Sequence, residues 1–305
     1  MRDNLLTRGE FFLTIAAGAT LTKALPGAAP AGPRVLVVVA HPDDEYTFAA
    51  TVYRITHELN GIVDQVVLTN GEGGYRYSQL AESVYGMELT REDVGRKHLP
   101  AIRKEETLRA GKILGIRHHF FLDQKDARFT LDGNEAIAQL WDTGAILAKL
   151  SGLLESEGYD YIFTLLPTKE THGHHQAATL LTLEAVAKLP VDRRPAVFGS
   201  EPSGPGDPEI HFTGRDEWPL ASVRKNTPVW IVNRERHLGY QGALNYNIVV
   251  NWVIAEHKSQ GLFQTDCGKH NREQFWLFDT SGNHAVEAAN RLFGQLESVK
   301  PAHAE

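Results

Sequence analysis

Val35-Leu36-Val37-Val38-Val39-Ala40 is an unbroken apolar run, mostly β-branched, that stops at His41-Pro42-Asp43-Asp44-Glu45. Six apolar residues with no polar alternation read as a strand buried on both faces. Such a strand belongs in the interior of a parallel sheet. Its carboxyl end then opens onto the edge where α/β proteins bind ligands. Here that end carries one imidazole and three carboxylates, so the feature predicts a place, a fold and a chemistry together.

The pattern continues downstream. Residues 63–69, 118–122 and 159–165 read as further strands, and 45–59, 102–114, 135–154 and 173–189 as helices. Gly115 and Pro190 mark helix ends, and 75–100 reads as an irregular polar stretch. Strands alternating with helices predict an α/β fold, a Rossmann-like, mostly parallel sheet with helices on both faces, over residues 34–190. Residues 191–305 are expected to complete the same domain and its pocket. They show short strand-like runs at 196–200 and 229–232, a helix of about seven turns at 233–259 and a late strand at 275–278.

Residues 1–33 read as a leader. Arg2 and Arg8 precede an apolar stretch at 11–19, and small residues and prolines follow to Pro33. Thr7-Arg8-Gly9-Glu10-Phe11-Phe12-Leu13 resembles a twin-arginine signal with Gly9 where the second arginine would stand. The expectation is export to the periplasm or beyond, or a cytoplasmic location if the leader does not function. No transmembrane helix is expected beyond it.

Composition removes some classes. Lys and Arg number 31 against 38 Asp and Glu, a net charge of −7, so nothing favours nucleic acid as a partner. A single cysteine, Cys267, rules out both a disulfide within the chain and a thiolate zinc site. Histidine is plentiful, with 14 residues, several of them clustered.

Three strand ends carry polar cargo: 41–45, Asn70-Gly71-Glu72-Gly73-Gly74, and Thr168-Lys169-Glu170-Thr171-His172-Gly173-His174-His175. In a parallel sheet they meet on one edge. His41 and Asp44 lie three apart around a turn, and His172 and His175 lie three apart at a helix start, where they share a face. Two imidazoles and a carboxylate that leave positions open for water describe a catalytic zinc site. Asp43, beside the ion but not needed to hold it, is placed to act as general base. The remaining histidine, as an imidazolium, could stabilise an oxyanion and protonate a leaving amine. Asp43 and Asp44 could instead cap the helix that follows.

Ala40-His41-Pro42-Asp43-Asp44-Glu45 followed by a distal His-x-x-His resembles the PIG-L/LmbE-like de-N-acetylase family. The resemblance takes in Thr69-Asn70-Gly71-Glu72-Gly73-Gly74, Arg103-Lys104-Glu105-Glu106 and Ala255-Glu256-His257-Lys258-Ser259-Gln260, in the expected order. It implies His41, Asp44 and His175 as zinc ligands, Asp43 as base and His172 as the oxyanion-stabilising acid. Zn2+, or Fe2+ in its place, is the implied cofactor. An N-acetylated sugar or glycoconjugate is the implied substrate, with Arg103, Glu72 and His257 expected to face it. The second motif departs from the family's His-Pro-Asp-His, reading His172-Gly173-His174-His175.

Two other functions stay open at this level. The same donors could make the facial triad of a non-haem iron oxygenase, although those sites usually use His-x-Asp on an all-β scaffold. The altered second motif could also mark a non-catalytic sugar-binding protein on the same fold.

Overall fold

The computed structural model describes residues 32–300. The expected leader lies outside the described residues except for Gly32 and Pro33. Nine strands are described: β1 (Arg34–Val39), β2 (Ile62–Thr69), β3 (His118–Gln124), β4 (Tyr161–Leu165), β5 (Ala196–Ser203), β6 (Trp230–Asn233), β7 (His237–Gly239), β8 (Leu244–Asn245) and β9 (Arg272–Leu277). Seven form one sheet in the order β3-β2-β1-β4-β5-β9-β6. β1 to β5 run parallel, while β9 is antiparallel to β5 and β6. The chain winds outward from β1 to β3, then returns to the other side of β1 at β4. The strand order reverses between β1 and β4, which is where doubly wound sheets bind ligands.

Helices cover both faces. They are α1 (Ala49–His57), the single turn α2 (Glu82–Tyr85), α3 (Glu92–Leu114), the single turn α4 (Gly133–Glu135), α5 (Thr143–Glu157), α6 (Gly173–Ala187), α7 (Asn247–Glu256) and α8 (Ala285–Ser298). Period-two alternation sends Val35, Val37 and Val39 to one face, against apolar residues of α1, α7 and α8. Leu36, Val38 and Ala40 face the other way, onto α5 and α6. The C-terminal third thus supplies two strands and two helices to the same core. No described helix is long and apolar enough to cross a membrane.

Several elements differ from their sequence expectation. The helix expected at 102–114 starts at Glu92 and runs through Pro100. Proline forfeits one backbone bond there, and the buried Leu99 and Arg103 on either side keep the helix packed. The helix expected at 135–154 breaks at Trp141, which is extended, and Asp142 then caps α5 by accepting from the Ala145 amide at 2.9 Å. The long helix expected at 233–259 is mostly absent. Tyr240, Gln241 and Gly242 take positive φ and turn the β7–β8 hairpin, which leaves only α7. Residues 45–59 split into a 3-10 segment, Asp44–Phe48, and α1.

The base of the sheet is tied by Asp64 on β2. It is fully buried and accepts from Arg117 Nε at 2.9 Å and the Tyr159 hydroxyl at 2.7 Å. Burial alone would raise its pKa, but these donors hold the carboxyl below the usual range. A depressed native pKa contributes stability that is fully present above the unfolded value of about 3.9 and is lost as pH falls through the native value. Asp64→Asn is therefore expected to cost about 1–3 kcal/mol at neutral pH. Urea melts should show that deficit shrinking steadily as pH drops below about 4.

Candidate active site and metal centre

The Asp44 carboxylate shapes the first strand end. Its Oδ2 accepts from the amides of Ala40 at 3.0 Å and His41 at 2.8 Å, folding the side chain back onto its own strand. Oδ1 is left to face His175 Nε2 at 3.1 Å. His41 Nδ1 lies 3.0 Å from His175 Nε2 and 3.7 Å from Asp44 Oδ2. A tetrahedral site with bonds of about 2.0–2.1 Å spaces neighbouring ligand atoms about 3.3 Å apart, so these donors fit a small divalent cation. His172 also comes within ligand reach of His41 and His175, though Asp44 contacts both of those histidines directly and His172 does not. His172 and His175 arrive from the β4 side, at the start of α6.

Asp43 follows at φ 124°, a conformation that side chains rarely adopt, and its side chain makes no capping bond to the segment it precedes. Its amide is held by Glu45 Oε2 at 3.1 Å. Burial, then repulsion from Asp44, pushes the Asp43 pKa well above the usual carboxylate range, which suits a proton acceptor working near neutrality.

Of the three residues expected at the substrate, Arg103 lines the larger cavity, while Glu72 and His257 do not. His257 is fully buried and bonds Glu45 Oε1 through Nε2 at 2.5 Å, so it braces the ligand loop and does not line the cavity. Glu72 accepts from the Asp126 amide at 3.1 Å and also stays out of the cavity wall. Arg103 reaches the wall but commits its guanidinium to scaffold: to the carbonyl of Gly71, the carbonyl of Gly74 at 3.3 Å and Ser259 Oγ at 3.2 Å. Gly71 has φ 69°, and a Cβ there would meet Arg103 Nη1 at 2.6 Å. Glu106 accepts from the Ser259 amide at 2.8 Å, and the Gln260 amide group bonds the Pro42 carbonyl. The motifs at 69–74, 103–106 and 255–260 thus converge as a clamp behind the site.

His172 lines the larger cavity beside His41 and His175. Among the described residues no carboxylate contacts it. Its Nδ1 faces the His174 amide at 3.2 Å and its Nε2 the Thr130 amide at 3.4 Å. Burial, followed by the neighbouring histidines, drives its pKa down to about 2. Sequence reasoning missed Asp126, a lone acid just beyond β3 whose Oδ1 lies 3.3 Å from His174 Nδ1. No local motif surrounds it. Only its place after a strand end pointed to the site.

Two cavities, of about 810 and 690 Å³, adjoin the centre and share Asp44, Tyr46 and His175. The larger is walled in part by Arg76, Arg96, Arg128, Lys269, Tyr75 and Phe129. Glu201 lines the smaller, where burial and then Asp44 raise its pKa to about 7.

A mostly parallel sheet whose switch point gathers a His-Asp-His set makes this an α/β protein with a candidate metal centre. Residues 36–186 match the PIG-L family, described as GlcNAc-PI de-N-acetylase, and form a domain of that family. Two curated relatives, from Bacillus cereus and Bacillus anthracis, are each named probable N-acetyl-alpha-D-glucosaminyl L-malate deacetylase 2. They are 26% and 27% identical over 163 and 165 residues, covering 53% and 54% of this chain. The match spans 65% and 64% of those relatives' lengths. The solved 4-carboxy-2-hydroxymuconate hydratase GalB from Pseudomonas putida KT2440 superposes with a TM-score of 0.51 at 16% identity, over 80% of this chain and 95% of that one. At that identity the likeness is one of fold.

Glu45 is the hinge between ligand loop and clamp. Glu45→Ala would leave His257 buried without its partner, and a loss of about 3–5 kcal/mol in denaturant melts is expected. Glu45→Gln, which keeps an acceptor for the imidazole, should cost clearly less.

Proposed function

We propose that this protein is a metal-dependent hydrolase that removes the acetyl group from an N-acetylated amino sugar within a larger glycoconjugate. The observation that carries this reading is the convergence of His41 Nδ1, Asp44 and His175 Nε2 to within 3.0–3.7 Å at the sheet's switch point, with Asp43 beside them at the cavity. The family's description and both relatives' names support N-acetylglucosamine as the sugar. The larger cavity's wall mixes acids and cations, and its exposed Arg76 and Arg128 are the groups placed to meet an anionic substituent on the conjugate.

Two imidazoles and one carboxylate suit Zn2+, with Fe2+ as the other candidate; when bound, the ion would lower the pKa of a water to about 7 and polarise the acetyl carbonyl. Asp43 takes the proton of the attacking water as the new carbon–oxygen bond forms. The same proton passes from Asp43 to the amine nitrogen as the carbon–nitrogen bond breaks, giving the free amine and acetic acid, which releases water's second proton to solvent as acetate. Asp43 serves both steps because its raised pKa lets it hold the proton between them. His172 meets the substrate as a wall residue. Asp44 and the Ala40 and His41 amides keep the ligand geometry fixed throughout.

The test is acetate release from N-acetylglucosaminyl conjugates by zinc-loaded protein. Activity should vanish on chelation and return with the ion. Asp43→Asn should lower kcat by about 10²- to 10⁴-fold. Turnover that survives chelation, or hydration of an unsaturated acid without acetate release, would overturn the reading. Arg128, exposed at the rim of the larger cavity, offers a separate check on the substrate. Arg128→Ala should raise KM several-fold for an anionic conjugate, leave kcat nearly unchanged, and have little effect on an uncharged N-acetylglucosaminide.

A further inference from the structure

His41 faces donors on both sides of its ring. Its Nδ1 belongs to the cluster with Asp44 and His175. Its Nε2 lies 3.3 Å from His174 Nδ1 and 4.0 Å from Asp126 Oδ1, and those two atoms are 3.3 Å apart. His174 is fully buried and Asp126 is 6% exposed, while His41 and Asp126 both open onto the larger cavity.

Hydrogen bonding alone does not satisfy this triangle. With Nδ1 turned to a cation, His41 carries its one proton on Nε2. If His174 Nδ1 accepts that proton, it has none to offer Asp126, and a lone pair is pressed against a buried carboxylate oxygen. If His174 Nδ1 instead carries a proton toward Asp126, it directs an N–H at the N–H of His41. In either tautomer His174 Nε2 stays buried without a partner. Buried polar groups left unpaired in this way are destabilising.

Asp126 also repeats the arrangement of Asp44. Its Oδ2 is tied by a backbone amide, that of Gly73 at 3.0 Å, and its Oδ1 is left to face histidine. A Cβ on Gly73 would fall 2.8 Å from the Asp126 carboxylate, so the close approach needs glycine there.

We propose that His41 Nε2, His174 Nδ1 and Asp126 Oδ1 form a second divalent-cation site, with the His41 ring bridging it to the first. The inference rests on the assignment of His41 Nδ1 to the first ion. Two imidazole nitrogens and one carboxylate oxygen select a borderline ion such as Zn2+ or Cu2+ over Mg2+ or Ca2+. Entry of the second ion releases the His41 Nε2 proton to solvent, and the ring becomes an imidazolate shared by two cations. Within the second motif, His174 is then a ligand.

The experiment is equilibrium dialysis of the full chain against Zn2+, with a weak competing chelator to clear surface sites and bound metal counted by atomic emission. Wild type should hold two equivalents. Asp126→Asn and His174→Asn should each hold one, with circular dichroism confirming that they fold. His175→Ala, which cuts only the first cluster, should also hold one. Cobalt loading gives an independent readout, as the second equivalent should add its own visible absorption bands in wild type and none in Asp126→Asn. Saturation of wild type at one equivalent overturns the proposal. So does a second equivalent that survives in both Asp126→Asn and His174→Asn. Loss of both equivalents in those variants overturns it too, because the pair would then only orient His41 for the first ion. Failure of acetate release with two equivalents bound would count against the hydrolase reading and leave the second site standing.

Discussion

The centre depends on one carboxylate turning back on its own strand. Asp44 Oδ2 takes the Ala40 and His41 amides, which closes the turn after β1 and leaves a single oxygen facing His175. Those amides would otherwise need other partners at a buried strand end. One side chain therefore ends β1, orients the His41 backbone and presents a ligand. Burial would disfavour the charge on Asp44, but the two histidines outweigh it and hold the pKa well below the usual range. The carboxylate is thus ionised in place before any cation arrives.

Around this turn the chain builds a shell from distant segments. Glu45 reaches His257, Pro42 receives Gln260, and Ser259 sits on Glu106. From β9, Glu273 accepts the Ala50 and Thr51 amides at 2.8 and 2.9 Å, so a C-terminal strand supplies the cap that α1 lacks locally. Glu273 is itself paired with the buried Arg234 at 3.0 Å. Residues beyond 190 hold the ligand loop from behind and line the outer parts of both cavities. Rigid support of this kind keeps metal-binding side chains in register.

The sheet and the ligand-bearing strand ends were legible in the sequence because they follow from periodicity. Residues 35–40 read as buried because every residue is apolar, and the abrupt change at His41 marked the sheet edge. The failures have local causes. Residues up to 100 read as irregular, yet α3 begins at Glu92 and tolerates Pro100 through the packing of Leu99 and Arg103. The run from 247 read as one with the residues before it, because nothing in Tyr240-Gln241 announces positive φ. His257 was expected at the substrate from the family resemblance, and only three-dimensional packing shows it buried against Glu45 behind the cavity. Asp126 had no signal of its own, since its meaning arises only when the end of β3 comes beside α6.

The backbone at Asp43 sets robustness against reactivity at a single position. An L-residue at φ 124° stores of order 1–3 kcal/mol, and glycine would relax it. In the proposed reaction glycine would also remove the group assigned to carry the proton. Any effort to harden this protein against heat would be drawn to the residue it must not touch, so added resilience has to come from the sheet's outer strands and the far helices.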